Sequence, residues 1–230
     1  TPGYGATEDA ERLPIEESPT LTKIPVLPIS YHDAQPLLEA LKGPMAPAAW
    51  RGGLPVPYHV GPGPTKVHLK LEFNWDMKPA YDVIATWKGS EYPDEWILRG
   101  NHHDAWVHGA SDPISGLVTL MEEARAVSEL AKEGMAPKRT LVYCAWGAEE
   151  PGLIGSTEWV ETHEEELEQK AVAYINTDGT SQGFLSAGGS HSLEKFFSEI
   201  TMVVDDPVKD VSVFKRRNAA ELVAGRPAWS

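Results

Sequence analysis

A mixed, largely parallel central sheet with helices on both faces, an α/β architecture, is the fold this sequence predicts. Three observations predict it. From residue 81 onward, strand-length apolar runs alternate with amphipathic helical stretches. The inner runs are continuously apolar rather than alternating, as strands covered on both faces are. Three of these runs end in His, Asp or Glu, at the carboxyl edge where such sheets place ligands. Length and composition allow the fold: 230 residues, 41% hydrophobic and 23% charged, suit one good-sized core.

Taken in order, residues 1–23 are polar, acidic and proline-containing, and read as an extended arm. IPVLPIS (24–30) is a short apolar run ahead of Ser30, which is placed to cap a helix through YHDAQPLLEALKG that ends at Gly43. Residues 44–66 are rich in Pro and Gly, keep no period, and read as a connector between two modules. KVHLKLEFNWD (66–76) alternates strictly, with Val67, Leu69, Leu71 and Phe73 on one side and His68, Lys70, Glu72 and Asn74 on the other. That pattern predicts an antiparallel or edge strand with one wet side. YDVIATWKG (81–89) and EWILRG (95–100) predict two further strands. ISGLVTLMEEARAVSELAKEG (114–134) has Leu117, Leu120, Met121, Ala124, Val127, Leu130 and Ala131 at helical spacing and Gly134 as a stop. RTLVYCAW (139–146) reads as a buried strand, residues 150–170 as helical after Pro151, and AVAYINTDG (171–179) as another buried strand. HSLEKFFSEITMVV (191–204) reads as a last helix, and residues 206–230 carry mixed signals with no assigned core role.

The formal charge of −14 argues against a nucleic-acid partner and against docking on anionic lipid, both of which need a basic face. It suits a protein that binds cations. Cys144 is the single cysteine, so no intrachain disulfide framework exists, and its apolar surroundings make it a small core residue. No apolar run approaches the ~20 residues needed to span a bilayer. The opening TPGYGATEDAERL lacks the basic and apolar regions of a signal peptide and starts as though cut from something longer.

NHHDAWVHGASDP (101–113) holds three of the eight histidines together with Asp104 and Asp112. It is either a polar loop rich in His or half of a metal site. Other strand ends bear on the choice: TLVYCAW is followed by Glu149 and Glu150, and AVAYIN by Asp178. Singly, each has an ordinary explanation. Paired Glu at a helix start is favourable charge at the dipole, an Asp after a strand forms turns, and HxD recurs by chance. Three successive strand ends carrying ligand-type residues favour a metal site. Imidazole mixed with carboxylate suits a pair of zinc ions, whereas magnesium and calcium seldom use His. The adjacent Glu149 and Glu150 allow one to bind metal while the other takes a proton from water.

GNHHDAWVHGASDPISG, WGAEEPGLIGSTEW and AYINTDG resemble, in order and spacing, the three metal-binding segments of the co-catalytic di-zinc exopeptidases, in the glutamate carboxypeptidase II and transferrin-receptor-like branch. TPGYGATE, IPVLPISYHDAQPLLEAL, WRGGLPVPYHVGPG and APKRTL are also similar to that branch, so the resemblance covers nearly all of residues 1–185. It implies a zinc-exopeptidase-like, phosphorylase/hydrolase-like fold. An arm and the remnant of a protease-associated domain would occupy 1–65, an incomplete peptidase domain 66–205, and a tail 206–230.

The activity implied is hydrolysis of a terminal peptide bond of a peptide or dipeptide, of the carboxypeptidase type. An aminopeptidase of the same fold, or a non-catalytic binding protein like the transferrin receptors, is the alternative. Those receptor relatives have lost metal ligands, whereas this sequence keeps them. Two Zn²⁺ are implied: His102 and Asp178 on one, Asp112 bridging, and Glu150 on the other. Glu149 would be the general base and acid, and Asp104 would accept the other N–H of His102. The resemblance further implies a structural Ca²⁺ held by the main-chain oxygens of Thr1 and Tyr4 and the side chains of Glu158 and Glu161. A homodimeric full-length protein and an extracellular, cell-surface or periplasmic setting go with it.

Two departures stand out. The family needs one more His ligand late in the catalytic domain, and His191, the only histidine after Asp178, falls too early for it. Gly147 occupies a position where close relatives carry Asp. The expectation is a piece of a longer enzyme that by itself binds zinc weakly and has little peptidase activity.

Overall fold

The computed structural model describes Glu11 and residues 13–227. The chain forms two compact units, Thr1–Pro79 and Ala80–Ser230.

In the first unit, Ser30 caps helix α1 (Tyr31–Glu39), its hydroxyl accepting the Asp33 N–H at 3.1 Å. The helix ends before Gly43. That glycine instead takes φ +111° at the start of a closed loop in which Met45 bridges His59. Ala46 N–H donates to Tyr58 O at 2.8 Å and Val60 N–H to Pro44 O at 2.9 Å, so part of the expected connector is folded. Residues 66–76 form no strand. Their alternation separates an apolar from a polar side, but a strand exists only through a hydrogen-bonded neighbour, and none of the described residues pairs with them. Val67 and Phe73 consequently stay about two-thirds exposed, at 68% and 63%.

The second unit is built on four strands: β1 (Val83–Trp87), β2 (Tyr92–His102), β3 (Arg139–Trp146) and β4 (Ala171–Asn176). They lie in the order β1-β3-β2-β4, with β1 antiparallel to β3 while β2 runs parallel to both β3 and β4. Interleaved are α2 (Ile114–Lys132), α3 (Ile154–Thr162) and α4 (Glu164–Lys170), followed by α5 (Glu194–Val203) and α6 (Val213–Val223). Side chains alternate across β2. Trp96 and Leu98 pack with Val142, Cys144, Trp146, Trp159 and Leu167 on the side of α3 and α4. Arg99 reaches Glu123 of α2 on the other, its Nε 2.9 Å from each carboxylate oxygen. The sheet is therefore mixed and covered by helices on both faces.

Two expectations change. β4 is an edge strand rather than a buried one, with Val172, Tyr174 and Ile175 each about half exposed. An apolar run cannot announce whether a neighbour will lie beside it. The region 206–230 contains α6, capped by Ser212, whose hydroxyl accepts the Lys215 N–H at 3.3 Å, and anchored by the Arg216–Asp206 ion pair at 2.5 Å. No helix among the described residues is long and apolar enough to cross a membrane.

Candidate metal centre

Parallel pairing brings the carboxyl ends of β3, β2 and β4 side by side. His102, the last residue of β2, is in register with Trp146, the last of β3. Thr177, just past β4, donates its N–H to Gly100 O at 2.9 Å. Each strand then opens into a loop carrying acids, and the loops converge on His102.

The imidazole of His102 is buried, at 3% exposure. Its Nδ1 lies 3.0 Å from the main-chain carbonyl of Asp104, which fixes Nδ1 as the protonated nitrogen and leaves Nε2 with the lone pair of a neutral ring. Nε2 faces Asp178 Oδ1 at 3.0 Å, Asp112 Oδ1 at 3.1 Å and Glu149 Oε2 at 3.8 Å. One ligand atom from each of His102, Asp112 and Asp178 lies within 4.8 Å of the others. Burial alone would depress the His102 pKa. The hydrogen bond that Nε2, once protonated, donates to Asp178 and the charges of Glu149 and Asp178 outweigh it, and the pKa is raised. Glu149 is pushed up by burial and by the charges of Asp178, Glu150 and Asp104, against the opposing pull of His102. Carboxylates this close to one nitrogen repel each other, and a bound divalent cation would neutralise them. The donor set, one imidazole nitrogen with carboxylate oxygens, fits zinc chemistry.

Glu150 stands outside that group, its Oε1 accepting the Trp106 N–H at 3.3 Å. Asp104 meets His102 and does more besides. Its carbonyl lies 3.0 Å from His102 Nδ1 and one carboxylate oxygen 3.6 Å from the same nitrogen, while the carboxylate accepts the N–H groups of Glu149 at 2.9 Å and Glu150 at 3.2 Å. Burial would raise the Asp104 pKa, yet those two N–H groups hold it below the ordinary value. The turn they steady is strained: Ala148 sits at φ +52°, in the left-handed region. Gly147 fits here because a Cβ would fall 2.4 Å from Tyr81 O, while its N–H donates to Asp82 Oδ1 at 2.9 Å.

His103 points Nε2 at Tyr81 O, 2.9 Å away. His191 is exposed at the start of the α5 region and pairs with Glu194 at 3.4 Å. Thr1 and Tyr4 lie outside the described residues, while Glu158 and Glu161 lie on α3.

Residue reasoning passed over Asn101 and Ser115. Asn101 is fully buried, and a carboxamide standing directly before His102 at the end of a strand was the available signal. Ser115 Oγ donates to Ser111 O at 2.5 Å and accepts the Thr180 N–H at 2.8 Å, joining the Asp112 loop to the Asp178 loop. Nothing in its spacing marked it.

Comparison with known proteins follows the same lines. The model of peptidase family M28 matches residues 82–217. A maize protein named probable glutamate carboxypeptidase VP8 is 41% identical over 90% of this chain and 30% of its own length. The Caenorhabditis briggsae glutamate carboxypeptidase 2 homolog is 44% identical over 69% of this chain and 21% of its own. A mouse protein named aminopeptidase NAALADL1 is 35% identical over 90% of this chain and 29% of its own. The chain thus spans about a third or less of these relatives' length. Among solved structures, the peptidase M28 precursor from Shewanella amazonensis aligns at 30% identity and a TM-score of 0.45, covering 57% of this chain and 29% of that one.

Proposed function

Since the chain belongs to peptidase family M28, we propose that it carries the metal centre of a metal-dependent exopeptidase that hydrolyses a terminal peptide bond. The observation that supports this most is the buried His102, whose Nε2 faces Asp112 at 3.1 Å and Asp178 at 3.0 Å. Two zinc ions, when bound, supply an activated water and polarise the scissile carbonyl. His102 and Asp178 would hold one ion, Asp112 both, and Glu150 the other. Glu149 accepts the proton of the attacking water and passes it to the leaving amine, a task that suits a carboxylate whose pKa burial has raised. Asp104 holds the Glu149–Glu150 turn by its two main-chain N–H groups.

Of the two exopeptidase types we favour the carboxypeptidase, the name borne by the maize and nematode relatives, over the aminopeptidase, the name borne by the mouse one. Retention of His102, Asp112, Glu149, Glu150 and Asp178 weighs against a non-catalytic binding protein. A structural calcium at Glu158 and Glu161 with the main chain of Thr1 and Tyr4, a homodimer, and an extracellular, cell-surface or periplasmic setting belong to the same reading. Each rests on the likeness alone.

Zinc titration by calorimetry on the chain, on His102→Ala and on Glu149→Gln tests the proposal. Binding is expected in the parent, lost in His102→Ala and kept in Glu149→Gln. In a catalytically active longer form, Glu149→Gln should lower kcat by roughly 10²–10⁴-fold. Unchanged zinc binding in His102→Ala, or near-normal turnover in Glu149→Gln, overturns the assignment.

A further inference from the structure

We propose that Asn101 is a positioning residue: its carboxamide fastens the end of β2 to the Asp112 loop and so sets the spacing between His102 and Asp112. Its Nδ2 donates to His102 O at 2.8 Å and to Pro113 O at 3.1 Å, so one group holds the main chain of one ligand and the residue after another. Pro113 O also accepts the N–H groups of Gly116 at 3.0 Å and Leu117 at 3.1 Å. The fastening therefore runs from the strand into the first turn of α2. Gly116 keeps that turn close: a Cβ there would lie 2.3 Å from Asn101 Oδ1 and 2.1 Å from Asp178 O. The main chain of the third candidate ligand rests against the same spot.

The two ends of the carboxamide differ. Nδ2 serves the carbonyls of His102 and Pro113, while Oδ1 is buried without a hydrogen-bond partner and carries a desolvation cost. Leucine has the same branched shape and would remove that unpaired acceptor together with both donor contacts, so it breaks the fastening without emptying the space. Asp104 does the corresponding job for the Glu149–Glu150 turn and Ser115 for the Asp178 loop. Asn101 is the buried member of the three. The latch itself follows from these contacts, while its consequence for metal binding rests on the function proposed above.

Asn101→Leu tests it in two ways. In the metal-free chain, amide hydrogen exchange at Ile114 and Gly116 should speed about tenfold or more, with β3 amides unchanged. With Co²⁺ titrated in and followed by visible absorption, using His102→Ala as the blank, affinity should fall about tenfold or more and the band should shift. Unchanged exchange at Ile114 and Gly116 overturns the proposal, as does a lowered midpoint with unaltered cobalt affinity and spectrum. Asn101→Ser, which keeps one donor in a smaller side chain, replaces the leucine variant should that one not fold, with the same outcomes in kind. If the parent takes up no more cobalt than His102→Ala, the metal reading fails, and exchange alone decides Asn101.

Discussion

At the scale of single residues, the candidate site turns on two buried polar side chains at the end of β2, Asn101 and His102. His102 was legible because His among acids at a strand end is a chemical pattern. Its tautomer was not: the partner of Nδ1 is a carbonyl two residues on, at 3.0 Å, and sequence assigns no partner to a carbonyl. Asp104 shows the same limit, since its carboxylate serves the main chain of another loop, 45 and 46 residues away. Cys144 went as expected. It is fully buried between Val142 and Trp146, and burial with the nearby Asp82 charge pushes its thiol up to about 12. Folded protein should therefore resist iodoacetamide at pH 8 and react with one equivalent only after denaturation. Rapid native alkylation, read by mass spectrometry, would show that the β3 core is open.

At the scale of elements, β3 and α2 were readable nearly to their ends because a buried strand and an amphipathic helix each repeat a pattern that their own backbone geometry demands. β4 and residues 66–76 were misread in their surroundings, since pairing partners and edge position depend on other segments. The junction of α2 with the site gives a test at this scale. Gly116→Ala forces a methyl onto Asp178 O and Asn101 Oδ1, both of which must give way. Overpacking of this kind costs about 1–3 kcal/mol, so the unfolding midpoint should drop while zinc affinity weakens. If the variant melts and binds zinc like the parent, the close approach of α2 to the Asp178 loop is not what positions that ligand.

At the scale of the whole molecule, the chain divides into two units between Pro79 and Ala80, and residues 66–76, ahead of that division, lack ladder pairing. Limited trypsin digestion should cut first after Lys66 or Lys70, because an extended segment without ladder hydrogen bonds fits a protease cleft. First cuts after Arg99 or Arg139, inside the sheet, would mean that the second unit opens before the linker does.

The sequence by itself determined which chemistry is present. The residue types at three strand ends, the apolar runs and the spacing that resembles the di-zinc exopeptidases are all local, and local information survives in one dimension. Only the tertiary structure decided that β2 lies between β3 and β4, that Nε2 of His102 faces Asp112 and Asp178, and that Asn101 and Ser115 tie the ligand loops together. Those outcomes depend on distances between residues far apart in the chain, set by packing and hydrogen bonding that no single segment encodes.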